Sequence, residues 1–516
     1  MAPSRQTDLR RLTNRGEIRR AHRPQMTTPL SSPADHGAVE FSPAPLLDAF
    51  ENFEGSFFDI ERDLRTSASE LKKLKTELRR KMVDAGLVPG DRIVTALPNG
   101  PLFAAVWAAS LDAGASPILV HGETPGLELE RMAQRWGARF LVAEAGTSDG
   151  REQNPGELLM AGAHGNLHWQ HVGSDGSKQV RPSSVPLHPT SGTSGQAKIA
   201  ARPGRCAVAE PLHYIETLGL ESSDVILCAI PMSHAYAYGM CLMVSLLTSA
   251  NLLFMRRFNP ELVRAAVNEL GVSVLPAVPT MLDALLPGGA GRLSGRPRIV
   301  LSAGAPLAKK TFEAWRDSYQ LCVRPLYGTT ETGGISIAPA EDEFDGSVGA
   351  PMKGVEVDLQ PSSDAGFGTE TGVLRVRSSS MMAGYLEGNG VSGVALHDGW
   401  FETGDLARID AQGKIHLQGR LAEVINAFGF KVVPREVEEV IAMLPEIVEV
   451  KVYAVRQTGV DAVEAAVVCH GRLSEEQILK HCEKHLVNYK CPTTIRFVDS
   501  LPRTASGKVV LERLSR

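Results

Sequence analysis

Thr190-Ser191-Gly192-Thr193-Ser194-Gly195-Gln196-Ala197-Lys198 packs four hydroxyl side chains, two glycines and one terminal ammonium into nine positions. Gly192 and Gly195 let backbone N–H groups turn inward, the hydroxyls add donors, and Lys198 adds charge, which together make a cradle for phosphate oxygens. Two sharper readings fail on spacing. A Walker loop requires Gly, four residues, then Gly-Lys-Ser/Thr, but here Ile199 and Ala200 follow the lysine. A serine nucleophile elbow requires Gly-x-Ser-x-Gly, but Ser194 is followed at once by Gly195 and Gln196. A Ser/Gly surface linker fits the stretch taken alone, so the decision rests on what lies downstream.

Five further motifs follow in order. Tyr327-Gly328-Thr329-Thr330-Glu331-Thr332 sets a carboxylate among hydroxyls after an apolar run, and Gly399-Trp400-Phe401-Glu402-Thr403-Gly404-Asp405-Leu406 sets an acid after a tight turn. Then come Gly419-Arg420-Leu421, Gly429-Phe430-Lys431-Val432 and Pro502-Arg503-Thr504-Ala505-Ser506-Gly507-Lys508. In this order and spacing the chain resembles the adenylate-forming superfamily: acyl-CoA and aryl-CoA ligases, the adenylation domains of peptide synthetases, and beetle luciferase. The resemblance covers roughly residues 45–510.

The resemblance implies a reaction in which a carboxylate attacks the α-phosphate of ATP, giving an acyl-AMP and pyrophosphate, then a thioester with CoA. It assigns Thr190, Ser191, Gly192, Thr193, Ser194, Gly195 and Lys198 to the β- and γ-phosphates, and Thr330 and Glu331 to phosphate and Mg²⁺, with Thr193 as a second metal contact. Asp405 would take both ribose hydroxyls, Arg420 would support ribose or phosphate, and Gly304, Ala305, Tyr327 and Gly328 would complete the nucleotide site. These roles agree with side-chain chemistry, since carboxylate oxygens are hard ligands for Mg²⁺ and strong acceptors for hydroxyls. Lys508, on a loop with Ser506 and Gly507, would neutralise the carboxylate and the bridging phosphate oxygen as charge develops. Gly429 would leave room for the pantetheine arm of CoA after a lid rotation.

His234, in Pro231-Met232-Ser233-His234-Ala235-Tyr236, stands where the family places a histidine beside the acyl carboxylate; a hydrogen-bonded core histidine is the plain alternative. Tyr236, Met240, Ala305, Leu326 and Ile335 fall at acyl-pocket positions. Ala235 and Tyr236 follow the histidine where domains for α-amino acids usually place an Asp, so an amino-acid substrate is not expected. Leu326 replaces a glycine of several aryl-CoA ligases, which shortens the pocket toward a modest acyl or single-ring aryl group. Four positions depart from the pattern: Ala422 at the usual hinge acid or lysine, Asn426 for a lysine frequent in CoA ligases, Pro325 for an adenine-contacting amide, and Ile199 for a glycine. None removes a catalytic charge.

Composition agrees with small-molecule chemistry. The chain has 516 residues, 43% of them hydrophobic and 22% charged, with a formal net charge of −5, which gives no electrostatic case for nucleic acid or membrane. Seven cysteines show no C-x-x-C pair and mostly sit in apolar runs, pointing to reduced thiols and a cytoplasmic setting. The apolar run from Met240 to Met255 is broken by Ser245, Thr248, Ser249 and Asn251, so a buried helix and strand are expected there rather than a membrane span.

The expected fold class is α/β: two α/β sheet subdomains plus a small β-barrel-like lobe in a large domain, residues 41–418, and a smaller mobile α+β lid, residues 419–516. Leu71, Leu74, Leu78 and Met82 mark a helix face. Strands are expected at 92–97, 116–120 and 139–144, then near 224–230, 251–255, 272–277, 298–303 and 322–327, with helical runs between. Residues 145–185 read as a loop-heavy connection. Val355–Leu359, Val373–Arg377 and Lys414–Leu417 alternate as short strands, and Pro434 opens a helix with Val437, Val440, Ile441 and Leu444 on one face. The first thirty residues carry seven arginines against Asp8 and Glu17. Residues 1–40 are therefore expected to be a disordered extension, with a transit peptide or a start at Met26 left open. The chain ends eight residues past Lys508, so no fused carrier or reductase domain is expected behind it.

Competing readings stay on the table. A stand-alone enzyme that loads a separate carrier protein is the nearest, a nucleotide-binding protein without turnover is another, and a luciferase-like oxygenase shares the motifs. The acid, the choice of acceptor thiol, the oligomeric state and the pathway are not legible in the sequence.

Overall fold

The computed structural model describes residues 41–144, 157–173, 185–190, 198–286, 293–341, 343–361, 370–388, 390–394, 396–427, 430–457, 460–503, 509–511 and 514. Two nine-stranded sheets dominate. The first runs, in spatial order, Ala350–Pro351, Gly333–Ile337, Val323–Thr329, Ile299–Ser302, Val274–Ala277, Val225–Cys228, Asn251–Phe254, Ser56–Asp59 and Leu64–Ser67. From Val323–Thr329 to Ser56–Asp59 the pairing is parallel throughout. Strands such as Ile-Val-Leu-Ser (299–302) are buried along their whole length, as a sheet covered on both faces requires.

The second sheet runs Gly390–Gly393, Gly384–Glu387, Ile199–Ala201, Leu187–Pro189, Ser116–His121, Arg92–Leu97, Phe140–Glu144, Gly165–His171 and Glu157–Gly162. Between the sheets lies helix Pro101–Asp112, buried from Pro101 to Leu111, whose surface, apolar apart from Ser110, suits an element with no solvent side. A single apolar cluster joins it to Phe57, Ile226 and Leu301 of the first sheet and Ile93, Leu119 and Phe140 of the second. Helix Ala68–Asp84 is amphipathic, burying Leu71, Leu78 and Met82, and is started by a capping box between Ser67 and Glu70.

The connection expected over 145–185 is corrected in part. Glu157–Gly162 and Gly165–His171 form a hairpin on the edge of the second sheet. Edge strands need only one apolar face: Leu167 and Trp169 are buried, Trp169 lies against Phe140 at 4.3 Å, and Leu158 faces solvent.

A four-stranded antiparallel sheet, Val355–Pro361, Gly372–Ser378, Phe401–Ile409 and Ile415–Arg420, packs beside the first. Beyond Gly419, at φ +151°, the chain builds a further core of its own. Hairpin Ile425–Ala427/Phe430–Val432, helix Pro434–Ile441, strands Ile447–Gln457, Val460–Cys469 and Thr494–Phe497, and helix Glu475–His485 enclose Val432, Val437, Ile441, Val452, Val467 and Ile478. The Lys310 ammonium donates to the Val448 carbonyl at 3.0 Å across to this unit. None of the seven cysteines forms a disulfide, and no helix among the described residues is long and apolar enough to cross a membrane.

Candidate active site

Strands Leu187–Pro189 and Ile199–Ala201 pair antiparallel, and the Thr190 amide donates to the Lys198 carbonyl at 2.7 Å, which joins the two ends of the hydroxyl- and glycine-rich segment. Ser191, Gly192, Thr193, Ser194 and Gly195 lie outside the described residues, as do Gly429 and Lys508. The ends of the Lys508 loop are held, since Arg503 and Val509 form an antiparallel bridge and Arg503 pairs with Glu449 at 2.9 Å.

Lys198 is exposed, and its ammonium stands 4.8 Å from the ring centroid of Tyr385. Tyr385 reaches that place because Gly384–Glu387 adds to the second sheet with Tyr385 opposite Ala200. Its hydroxyl donates to Glu331 Oε1 at 2.9 Å. Burial first, and the Glu331 charge second, push the phenol well above its ordinary value, so it keeps its proton and acts as a donor. Sequence reasoning missed Tyr385; a lone tyrosine after Met-Met-Ala-Gly carries no local signal.

Glu331 sits with half-buried Thr330 on the turn between Val323–Thr329 and Gly333–Ile337. The Met382 amide donates to the Glu331 carbonyl at 2.7 Å, tying this turn to the segment before Tyr385. At Gly328 an added Cβ would lie 2.5 Å from the Gly333 carbonyl oxygen, so the turn closes only with glycine there.

One residue earlier, the Tyr327 hydroxyl donates to Asp405 Oδ2, and Arg420 Nε meets Asp405 Oδ1 at 2.7 Å. Asp405 and Arg420 face each other in register on the small sheet. Asp405 is 6% exposed, and the phenol of Tyr327 is pushed far up by burial and by Asp405 itself. Gly304, at φ +84°, and Ala305 lie on the exposed turn after Ile299–Ser302.

Of the acyl-pocket positions, Tyr236, Met240, Leu326 and Ile335 are buried while Ala305 is exposed. His234 is half-buried and its Nδ1 accepts from the Tyr236 amide at 3.3 Å, which places the proton of the neutral ring on Nε2. Tyr238–Met243 forms a π-helical turn, a widening often met at functional sites.

Beside Pro231, three residues before His234, opens a crevice of ≈ 370 Å³ at the C-terminal ends of strands from both sheets. Its lining mixes Arg62, Arg256 and Arg257 with Glu61, Glu123 and Glu144, beside Asn99 and His121. Arg256 pairs with Glu144 and Arg257 with Glu123. A larger depression of ≈ 950 Å³ runs along helix Ala68–Asp84 and shares no residue with the cluster above, so size alone does not locate the chemistry.

The family profile described as AMP-binding enzyme matches residues 53–386, and that of the AMP-binding enzyme C-terminal domain matches residues 436–508. The chain belongs to the AMP-binding enzyme family. Among curated relatives of this AMP-binding enzyme, 4-coumarate–CoA ligase 3 of Oryza sativa subsp. japonica is 26% identical over 499 residues, covering 91% of this chain and 88% of the relative. Feruloyl-CoA synthase of an Amycolatopsis species is 28% identical over 465 residues, covering 87% and 93%. Among solved structures, ATP-bound MatB from Rhodopseudomonas palustris superposes with a TM-score of 0.76 at 22% identity, covering 92% of this chain and 98% of that one. That likeness establishes a shared fold: the α/β architecture of sheets with a smaller C-terminal unit.

Proposed function

We propose that this AMP-binding enzyme activates a carboxylic acid with ATP, forming an acyl-AMP and pyrophosphate, and transfers the acyl group to the thiol of CoA. The observation that carries the reading is the meeting of Lys198, Tyr385 and Glu331 with Tyr327, Asp405 and Arg420 at the junction of three sheets. Asp405 offers a carboxylate, oriented by Tyr327 and Arg420, to the ribose hydroxyls. Lys198 faces the departing phosphates. Glu331 would supply one hard carboxylate oxygen to Mg²⁺, whose charge would offset that of the phosphates. Thr330, Thr190 and the loop from Ser191 to Gly195, Thr193 included, complete the phosphate side, with Gly304, Ala305 and Gly328 around the nucleotide.

The substrate carboxylate and the α-phosphate repel as they approach, and Lys508 is the residue we assign to neutralise them, with residues 419–516 as the lid that carries it over residues 41–418. His234 orients the acid beside Tyr236, Met240, Leu326 and Ile335. The CoA ligases among the curated relatives support CoA as acceptor, and exposed Arg257 is the group we place against its 3′-phosphate, in a crevice beside Pro231 whose arginines are matched by Glu61, Glu123 and Glu144. Gly429 then borders the pantetheine arm.

The test is pyrophosphate exchange and hydroxylamine trapping across a panel of acids headed by 4-coumarate and ferulate, followed by AMP release with CoA and with carrier proteins. AMP release with CoA alone supports the ligase. Release with carrier protein alone replaces it by the carrier-loading reading, and ATP binding without exchange for any acid refutes activation. Lys508→Ala is expected to slow adenylate formation at least about a hundredfold.

A further inference from the structure

We propose that the buried Arg202–Glu210 pair is a positioning element of the adenylating site, fixing the turn that bears Thr330 and Glu331 against the strand that leaves the phosphate loop. The inference rests on the adenylation reading and adds to it two residues that touch neither nucleotide nor acid. Arg202 follows strand Ile199–Ala201, four residues after Lys198. Glu210 lies in helix Gly204–Leu218. Their side chains are 0% and 2% exposed, with Nη1 and Oε2 2.5 Å apart.

Each end of the pair reaches backbone next to the chemistry. Glu210 Oε1 accepts from the Gly334 amide at 3.2 Å and from the Tyr214 hydroxyl at 3.1 Å. Arg202 Nη2 donates to the Ser380 carbonyl at 3.3 Å, and the Ser380 hydroxyl donates to the Thr332 carbonyl at 2.6 Å. Gly334 and Thr332 flank the turn of Glu331 on one side, and Ser380 precedes Met382, whose amide holds the Glu331 carbonyl.

The surrounding backbone is cut to the shape of the pair. A Cβ added at Gly333 would lie 2.8 Å from Glu210 Cδ and 3.0 Å from Arg202 Nη2, and one added at Gly239 would lie 2.7 Å from Glu210 Cδ. Gly334 is crowded in the same way by the Tyr214 hydroxyl at 2.5 Å. Gly239 lies in the π-helical turn Tyr238–Met243, next to Met240, so one carboxylate registers the acyl-pocket element, the Glu331 turn and the phosphate-loop strand together.

Stability alone is a poor account of such a pair. Desolvating two charges costs several kcal/mol and an apolar replacement is often neutral or stabilising, whereas the well-attested use of buried ionic groups is to select one register.

The test compares wild type with R202M/E210Q and R202K in pyrophosphate exchange. R202M/E210Q removes both charges together while leaving an amide oxygen for the Gly334 N–H. It is expected to keep a Tm within about 5 °C of wild type, to lower the exchange kcat at least about tenfold, and to leave the acid KM within about twofold. R202K keeps a cation opposite Glu210 and is expected to recover most of that loss. A double variant with wild-type kcat, or one whose deficit disappears on assay well below its Tm, overturns the positioning role. A wild type that exchanges pyrophosphate with no acid overturns the adenylation reading and this inference with it.

Discussion

Replacing Tyr385 by Phe isolates a single hydrogen bond at the heart of the cluster. The hydroxyl donates to Glu331 Oε1 at 2.9 Å from a half-buried ring. Hydrogen bonds to charged groups contribute about 1.5–3 kcal/mol, and partial solvent access sets the lower end, so about 1.5 kcal/mol of Glu331 positioning is at stake. That corresponds to roughly a tenfold fall in kcat/KM for MgATP. The ring itself survives, so the Lys198 ammonium, 4.8 Å from its centroid, keeps its cation–π contact. Tyr385→Leu removes both, and for an exposed lysine the additional loss is about 0.5–1 kcal/mol, a further two- to fivefold expressed in KM for ATP. Pyrophosphate exchange measured over a grid of ATP and Mg²⁺ separates the two contributions, because the Phe variant shifts the Mg²⁺ dependence and the Leu variant adds a shift in ATP. Wild-type kinetics from Tyr385→Phe would refute the reasoning, since Glu331 would then need no donor to hold it.

Other outcomes follow from the same geometry. Asp405→Asn is expected to lower kcat/KM for ATP by about a hundredfold, equivalent to about 2.7 kcal/mol, and to shrink discrimination between ATP and 2′-deoxy-ATP; an unchanged ratio removes Asp405 from the ribose. Arg257→Ala is expected to raise KM for CoA about threefold, a rim-charge effect, with no change in exchange, and an equal effect on dephospho-CoA would detach the crevice from the 3′-phosphate. His188 is wholly buried and pushed down to about 3, first by burial and then by Arg202 and His234. Its depressed folded value means that its contribution is complete above the unfolded value near 6.5 and is lost as pH falls toward 3, about 2 kcal/mol by pH 5. Denaturant midpoints of wild type should therefore fall with acid more steeply than those of His188→Phe, and parallel curves would contradict this.

Much of the fold was readable because its parallel strands are buried on both faces and announce themselves as apolar runs: Arg92–Leu97 was legible to the residue, and the helix from Pro434 began where its proline allows. The hairpin of Glu157–Gly162 and Gly165–His171 was not, since an edge strand with Leu158 in solvent has no continuous apolar signal. Asp405 and Arg420 stand 15 residues apart in sequence (420 − 405) on neighbouring strands, and their pairing is local enough to infer. Tyr385 and the Arg202–Glu210 pair were hidden for the opposite reason. Tyr385 meets Ala200 across 185 residues (385 − 200), and no spacing rule operates over that distance. An arginine and a glutamate eight apart look like an ordinary solvated pair until the glycines at 239 and 333 show what they accommodate.

The convergence of three sheets on one small volume also bears on how a newly made chain behaves. Lys198 and Tyr385 come from one sheet, Tyr327 and Glu331 from another, Asp405 and Arg420 from the small one. On the function proposed above, a nucleotide gripped by all of them would adhere only after every layer has docked, and would act as a mass-action clamp on the finished protein, worth about 2.7 kcal/mol at a hundred times its Kd. Fragments and nascent intermediates, lacking at least one wall, would leave cellular ATP untouched rather than hydrolyse it idly.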